Sequence, residues 1–482
     1  MVGLRDLFVH AHEIEALTIT PAPALSAMYR LLYAMMARIT GLDDPGDGPE
    51  DWLDRRQEFL DRPLDPKSVD AYFEEWSGRF DLFDPERPFL QDPRLADPAV
   101  CPKSAGVNKL ALGRPAGNNS VWFGHHWDAS AIPIPAAEAF TALLVWLYYG
   151  PSGRCGTRTH EGTTKADVSA GPLRSTLSYH PEGDTLLATL LAGLTPPPPG
   201  LSPDQDLCPW ELPDLPDPLA PPPDPTPYPG PRSRLTGGWQ HALLLVPDAT
   251  GDYVTDAYIT WGRRHKQPST NDAYLIHQLS QQGNPYARPA DAGRALWRDL
   301  DGLLQLDTNN AAAPRRPEVF ETVDDLGTFR VRALGFQQDG KTKDIQFVSA
   351  TTPPLLFRIR EDDPRAARRI GELRSSGELY GRRLDVAVKR AWALVTDGKP
   401  GRCAWAEHAA AMYWPEAEEI FWLRMRSQDF TDPWRPFLRA ATIAFNHVTQ
   451  QHVHNIRRAR AIEEARLELY GGRRKSKSKG RG

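Results

Sequence analysis

Apolar positions near the start of the chain recur at helical spacing. Leu25, Met28, Leu31, Leu32, Met35 and Met36 lie three and four apart and Gly41 closes the run, so Leu4 to Leu42 reads as one or two core helices. The stretch 43–100 is acidic and dotted with Trp and Pro, which predicts short helices joined by turns. From Lys103 to His126 no period is sustained and Gly and Asn accumulate, the composition of a long loop. Helical spacing returns at Phe140, Leu143, Leu144, Leu147 and Tyr148, predicting a helix over Ala136 to Tyr149. A second Gly- and Thr-rich stretch, 150–183, then leads into an apolar helix from Thr185 to Leu194.

Further on, alternation in Trp239 to Pro247 and Tyr253 to Trp261, around the turn Asp248 to Asp252, predicts a β-hairpin. Strand-like text recurs at Thr328 to Phe336 and Ile345 to Ala350, bracketing the polar turn Gln337-Gln338-Asp339-Gly340-Lys341. Beyond Pro354 the pattern is helical. Ile370, Leu373, Leu384, Val388 and Trp392, then Ile420 to Met425, Phe437 to Val453 and Ile456 to Leu469, give about four amphipathic helices and hence a four-helix bundle. The expectation is an α+β protein: an irregular mixed N-terminal domain with short sheets over 1–355, a four-helix bundle over 356–470, and a disordered basic tail over 471–482.

Composition refines this picture. The 482 residues are 40% hydrophobic, enough to bury a sizeable core in two or three domains. No run of about 18 apolar residues occurs and no secretory signal opens the chain, so it is expected to be soluble and cytoplasmic, without a membrane partner. Between 195 and 233 lies a Pro-rich insertion, with 16 prolines in the 36 residues from Pro196, suited either to a linker or to a segment wrapping the surface. The net charge of −5 excludes a binder that coats DNA by charge alone. Charge is nonetheless polarised: residues 1–100 carry 20 acidic and 10 basic side chains, residues 454–482 carry 3 and 10. Local basic loops can therefore meet phosphate while neutral and acidic faces meet proteins.

Catalytic text is sparse. The P-loop, the dinucleotide-binding glycine pattern, the H-E-x-x-H helix and the G-x-S-x-G elbow are all missing. Cys101, Cys155, Cys208 and Cys403 lie far apart with no C-x-x-C pair, so neither a disulfide framework nor a zinc site is expected. His125, His126 and Asp128 form the one cluster open to a hydrolase or metal reading, but adjacent loop residues diverge in direction. No catalytic residue, metal or cofactor is assigned.

Four stretches, in order, carry a resemblance. They are Lys103 to Lys109 running on through Gly117-Asn118-Asn119; Ser169 to Thr176; Arg294 to Leu300; and Leu334 to Gly340. Together they resemble the CasA family, the large subunit of the type I-E CRISPR Cascade surveillance complex. The resemblance implies a non-catalytic subunit that recognises the protospacer-adjacent motif in double-stranded DNA, helps start strand separation and recruits a helicase-nuclease. Its implied partners are the CRISPR RNA and the other Cascade subunits. By the same resemblance, Ser169, Ala170, Gly171 and Pro172 form the motif-reading loop, although relatives often carry two adjacent glycines where this chain has Ala170-Gly171. Gln337 and Gln338, on the turn, form the strand-separating wedge, and Lys103, Asn108 and Lys109 lie on the loop that meets the RNA-bearing backbone. The family's lysine finger has no counterpart in Ser280-Gln281-Gln282-Gly283; Arg263, Arg264 and Lys266 substitute by charge only. Relative to the family the chain starts late, without a strand before Leu4. The alternative function is a scaffold that braces a ribonucleoprotein complex without reading DNA.

Overall fold

The computed structural model describes residues 2–60, 62–116, 125–221, 228–265, 272–303, 314–323, 329–339, 343–354 and 364–472. Lys266, Gly117 to Asn119, the hairpin tip at Gly340 and Lys341, and the basic tail from Arg473 lie outside them. The chain divides into two compact units. One comprises Met1–Ala292 with Leu306–Phe357, the other Gly293–Gln305 with Arg358–Gly482. The architecture is α+β, with helices at the C-terminus.

The first unit is organised on helix α1 (Ala22–Thr40), which is buried on nearly every face, as an apolar helix without a polar stripe must be. Its buried cation is paired: Arg30 donates to both carboxylate oxygens of Asp272, at 2.6 and 3.0 Å. Tyr33 stacks on Tyr274 with ring centroids 5.3 Å apart, and His180 lies against both. In the acidic stretch that follows, Pro49–Glu58 and Pro66–Glu75 are helices, the second capped by Asp65, whose carboxylate accepts from the Lys67 amide at 3.0 Å. Helix α2 (Ala136–Tyr149) comes next, almost wholly buried from Ala142 onward.

Among the described residues all strand pairing is antiparallel. β1 (Ile134–Pro135), β5 (His241–Pro247) and β6 (Tyr253–Trp261) form one sheet in the order β1-β6-β5. β4 (Leu177–Glu182), β9 (Arg330–Asp339) and β10 (Lys343–Thr351) form another, in the order β10-β9-β4. Two hairpins complete the set: β2 (Gly153–His160) with β3 (Thr163–Val168), and β7 (His277–Leu279) with β8 (Pro285–Ala287).

The Gly- and Thr-rich stretch 150–183, to which the residue pattern assigns no element, holds the β2–β3 hairpin in its first half, turning at Glu161 and Gly162 with φ of 45° and 78°. Its strands are half exposed, so they lack the apolar alternation that would have announced them. The described part of the Pro-rich insertion is fastened to the unit. Cys208, Trp210 and Glu211 are buried, the Trp210 indole donates to Tyr72 at 2.9 Å, and buried Arg232 binds Glu211, the Asp206 carbonyl and the Ala34 carbonyl.

The second unit contains the helices α3 (Pro364–Thr396), α4 (Trp405–Ser427), α5 (Arg435–Gln450) and α6 (Ile456–Arg466). Asn455 caps α6 by accepting from the Arg458 amide at 2.9 Å. The segment Gly293–Gln305, expected in the N-terminal domain, belongs with these helices. Its Trp297 is fully buried, stacks on Phe421 at 5.0 Å and on Phe437 at 6.3 Å, and sits over Gly377, where an added Cβ would come within 2.6 Å of the indole. Arg298 donates to Glu378 at 2.6 Å and lies 3.6 Å from the centroid of the Trp414 ring.

Candidate nucleic-acid interface

Strand β4 holds the candidate site together. The turn 169–176 runs directly into its first residue, β9 pairs along its length from Leu177↔Gly335 to Glu182↔Arg330, and isolated bridges Thr176↔Pro289 and Ser178↔Leu275 attach the segments flanking the β7–β8 hairpin. Thus the turn and both hairpins share one anchor. Ser280, Gln281, Gln282 and Gly283 form the tip of the β7–β8 hairpin, where Gln281 and Gln282 are exposed.

The turn is docked on the end of α2. Gly171 donates its amide to the Gly150 carbonyl at 2.9 Å and Leu173 donates to the Tyr148 carbonyl at 2.9 Å. Gly171 is itself buried, and a Cβ there would come within 2.6 Å of the Tyr148 carbonyl oxygen and 3.0 Å of the Gly150 nitrogen. The glycine is therefore required for contact with the protein's own backbone. Ser169 and Pro172 are the exposed members of the turn, with Ala170 half-buried.

Gln337 and Gln338 lie within β9, opposite Gln346 and Asp344, rather than on the turn that residue types suggested. Gln338 is buried. Its Oε1 accepts from the Ser175 amide at 2.8 Å, its Nε2 donates to Asp344 Oδ1 at 2.6 Å, and its carbonyl accepts from the Ser175 hydroxyl at 3.3 Å. Gln337 accepts from the Ala292 amide at 3.0 Å. Arg174, which the sequence reading left without a role, pairs with Asp344 at 2.7 Å and donates to the carbonyls of Tyr149 and Lys343 at 3.0 and 3.2 Å. Burial pushes its guanidinium below the usual arginine value, against the pull of Asp344.

The first loop departs from its expected form. It contains a helical turn, Val107–Leu110, and the Ala105 amide donates to the Ala257 carbonyl at 2.8 Å. Asn108 is buried, donating to Asp128 at 3.1 Å, whereas Lys103 and Lys109 are exposed. Lys109 places its ammonium 5.6 Å from the centroid of the Trp146 ring, and the Trp146 indole donates to the Leu110 carbonyl at 3.1 Å. The last turn of α2 therefore bears this loop through Trp146 and the turn 169–176 through Tyr148 and Tyr149. Arg264 donates to the Asp167 carbonyl at 2.8 Å and to its carboxylate at 3.2 Å, two residues before Ser169; Arg263 is half-buried.

Asp128, grouped with His125 and His126 in the sequence, accepts from the Asn108 side-chain amide at 3.1 Å. Among the described residues no group of three or more His, Cys, Asp or Glu side chains is placed to hold a metal ion. The four cysteines are free, and burial raises each thiol above its usual range. What the site presents is small and polar: a tight turn with Ser169 and Pro172 outward, two hairpins, and scattered basic groups. No described helix is long and apolar enough to cross a membrane.

The α+β chain as a whole has counterparts among CRISPR proteins. A solved structure described as a CRISPR RNA-guided surveillance complex contains a chain 40% identical to this one, with a TM-score of 0.88 over 98% of this chain and 95% of that one. The sequence pattern of the family described as CRISPR-associated protein Cse1 matches residues 1–453, and the chain belongs to that family. CRISPR-associated protein CasA/Cse1 of Thermus thermophilus is 28% identical over 478 residues, covering 92% of this chain and 87% of the relative. A crystal structure of Thermobifida fusca Cse1, 18% identical, shares the fold with a TM-score of 0.74 over 98% of this chain and 94% of that one.

Proposed function

We propose that this chain is the large subunit of an RNA-guided DNA surveillance complex. It reads a short motif in duplex DNA beside the guide-matched segment, helps open the duplex there and offers a surface to a helicase-nuclease. Sequence specificity for the rest of the target is delegated to pairing with the guide RNA. The observation that carries this reading is the joining of the turn 169–176 and the β9–β10 hairpin on β4, in a chain that closely matches one from a surveillance complex.

Each part has a physical rationale. The minor groove is narrow and offers few distinguishing groups, so a turn with small residues can press backbone and Ser169 against base edges and reject pairs by clash. Pro172 stiffens the exposed face of that turn. A hairpin entering beside the motif compensates for lost stacking, a cost of a few kcal/mol per step. In this arrangement Gln337 serves the hairpin as a wedge residue, and Gln338 supports it from behind through its grip on the turn. Lys103 and Lys109 face the RNA-bearing backbone of the complex, and Arg263, Arg264 and Lys266 add attraction for phosphate.

The test is binding of duplex targets with matched or scrambled flanks to the RNA-containing complex, with and without this chain. Discrimination between flanks that appears only when the chain is added, and is lost with Pro172→Gly or Ser169→Trp, supports motif reading. Flank preference unaffected by the chain would leave it a scaffold.

A further inference from the structure

Beyond Gly335, β9 loses β4 as a partner, because their pairing ends at Leu177↔Gly335. From Phe336 to Asp339 the β9–β10 hairpin is a two-stranded extension, and such an extension is marginal by itself in water. The place of the missing third strand is taken by residues of the motif turn. Gln338 uses both ends of its amide, the carbonyl toward Ser175 in the turn and the NH2 toward Asp344 in β10. Arg174 uses its two terminal nitrogens for the Tyr149 carbonyl behind the turn and for Lys343 and Asp344 on the hairpin. Both donors converge on one oxygen, Asp344 Oδ1, at 2.6 and 2.7 Å. Although the turn lies at the surface, the Arg174 side chain is only 4% exposed. Ser175 is held in the left-handed region at φ 64°, a conformation a serine does not adopt without support.

We propose that Arg174, Gln338 and Asp344 form a latch that makes the motif turn and the β9–β10 hairpin one body, so that docking of the turn sets the position of the hairpin. These three are positioning residues: they act through Ser169, Pro172 and the strands of the hairpin. The functional half of this inference rests on the reading given under Proposed function, whereas the mechanical half stands without it. Force applied to the turn reaches β10 at Lys343 and Asp344, its first two residues. Loss of the latch therefore affects motif discrimination and duplex opening together, where a merely stabilising contact would change neither in a folded chain.

Asp344→Ala removes the shared acceptor from a side chain that is 44% exposed, so the chain is expected to fold. Hydrogen exchange of the full chain, without nucleic acid, reads the mechanical half. The Ser175 amide and the amides of Lys343 to Phe347 are expected to exchange faster together, by about tenfold for a lost hydrogen-bonded anchor. Asp344→Asn, which keeps an acceptor, should restore much of the protection. Faster exchange in the hairpin alone, with the turn protected as before, overturns the latch. In the reconstituted complex, Asp344→Ala should lower flank discrimination and the opening rate of an intact duplex in parallel, while a target already unpaired beside the motif binds as it does to the unaltered complex. If the unaltered complex discriminates flanks and the variant matches it in both measurements, the functional half is overturned. If the unaltered complex does not discriminate, motif reading itself fails and hydrogen exchange alone judges the latch.

Discussion

At Gly171 the backbone of the turn lies so close to Tyr148 that even one methyl group has nowhere to go. Gly171→Ala is therefore expected to destabilise the isolated chain by about 1–3 kcal/mol, read as a lower melting temperature before any nucleic acid is present. The exposed Ser169 and Pro172 should tolerate replacement within roughly 0.5 kcal/mol, so that their variants report on binding alone. His241 gives a pH signature. Burial holds its imidazole down at about 4, against a hydrogen bond to the Pro151 carbonyl at 3.1 Å. Because the folded-state value lies below the unfolded one, the unfolded chain binds more protons, and the stability present above pH 6.5 is lost as pH falls toward 4. The loss is on the order of 3 kcal/mol; melting curves across that window should be flatter for His241→Gln, and an identical slope would refute this role. His180 is shifted in the same direction by burial and adds to the trend. None of this was legible from residue types. A histidine or glycine in text looks the same whether it faces water or a carbonyl 2.6 Å away.

Among elements, those with a clear apolar period were the easiest to read. Helices α1 and α2, the four C-terminal helices and the β5–β6 hairpin follow the hydrophobic pattern closely, since burial on one face or all faces is what the pattern records. The β9–β10 hairpin was read short. Strand text ended at Phe336 because Gln and Asp are poor strand formers, yet β9 continues to Asp339, supported by Asp344 and by Ser175 from the turn. Arg174 and Asp344 sit in plain view in the sequence, but their pairing depends on a register and a turn that residue types do not specify. The Trp297 segment makes an element-scale prediction. Trp297→Ala should destabilise the helical unit by about 3–5 kcal/mol, because its ring fills the space between Phe421, Phe437 and Gly377. Calorimetry should show the effect confined to one transition, with Trp297→Phe intermediate; two transitions displaced equally would contradict it.

For the whole molecule, an even balance of charge matters more than any single patch. With a net charge of −5, and with Arg264 already bound to Asp167, the isolated chain should hold duplex DNA weakly. Its affinity should fall gently with salt, with a slope corresponding to fewer than about four phosphate contacts. A steep slope would indicate a basic surface beyond the groups named here. The order of a mixed N-terminal part followed by helices was legible from the switch in period after Pro354. The allegiance of Gly293–Gln305 was not, because Arg294 to Leu300 carries a pattern of apolar residues without stating which core they fill.

That allegiance bears on how the chain is made. Trp297 leaves the ribosome 67 residues before Pro364, the first residue of α3, so it exists before the socket it fills. Until α3, α4 and α5 have been synthesised, a large indole has no place to go, and a nascent chain stalled in that interval carries it in the open. Cutting the gene at residue 358 would divide plug from socket as well, leaving one fragment with an unhoused tryptophan and the other with a hollow bundle.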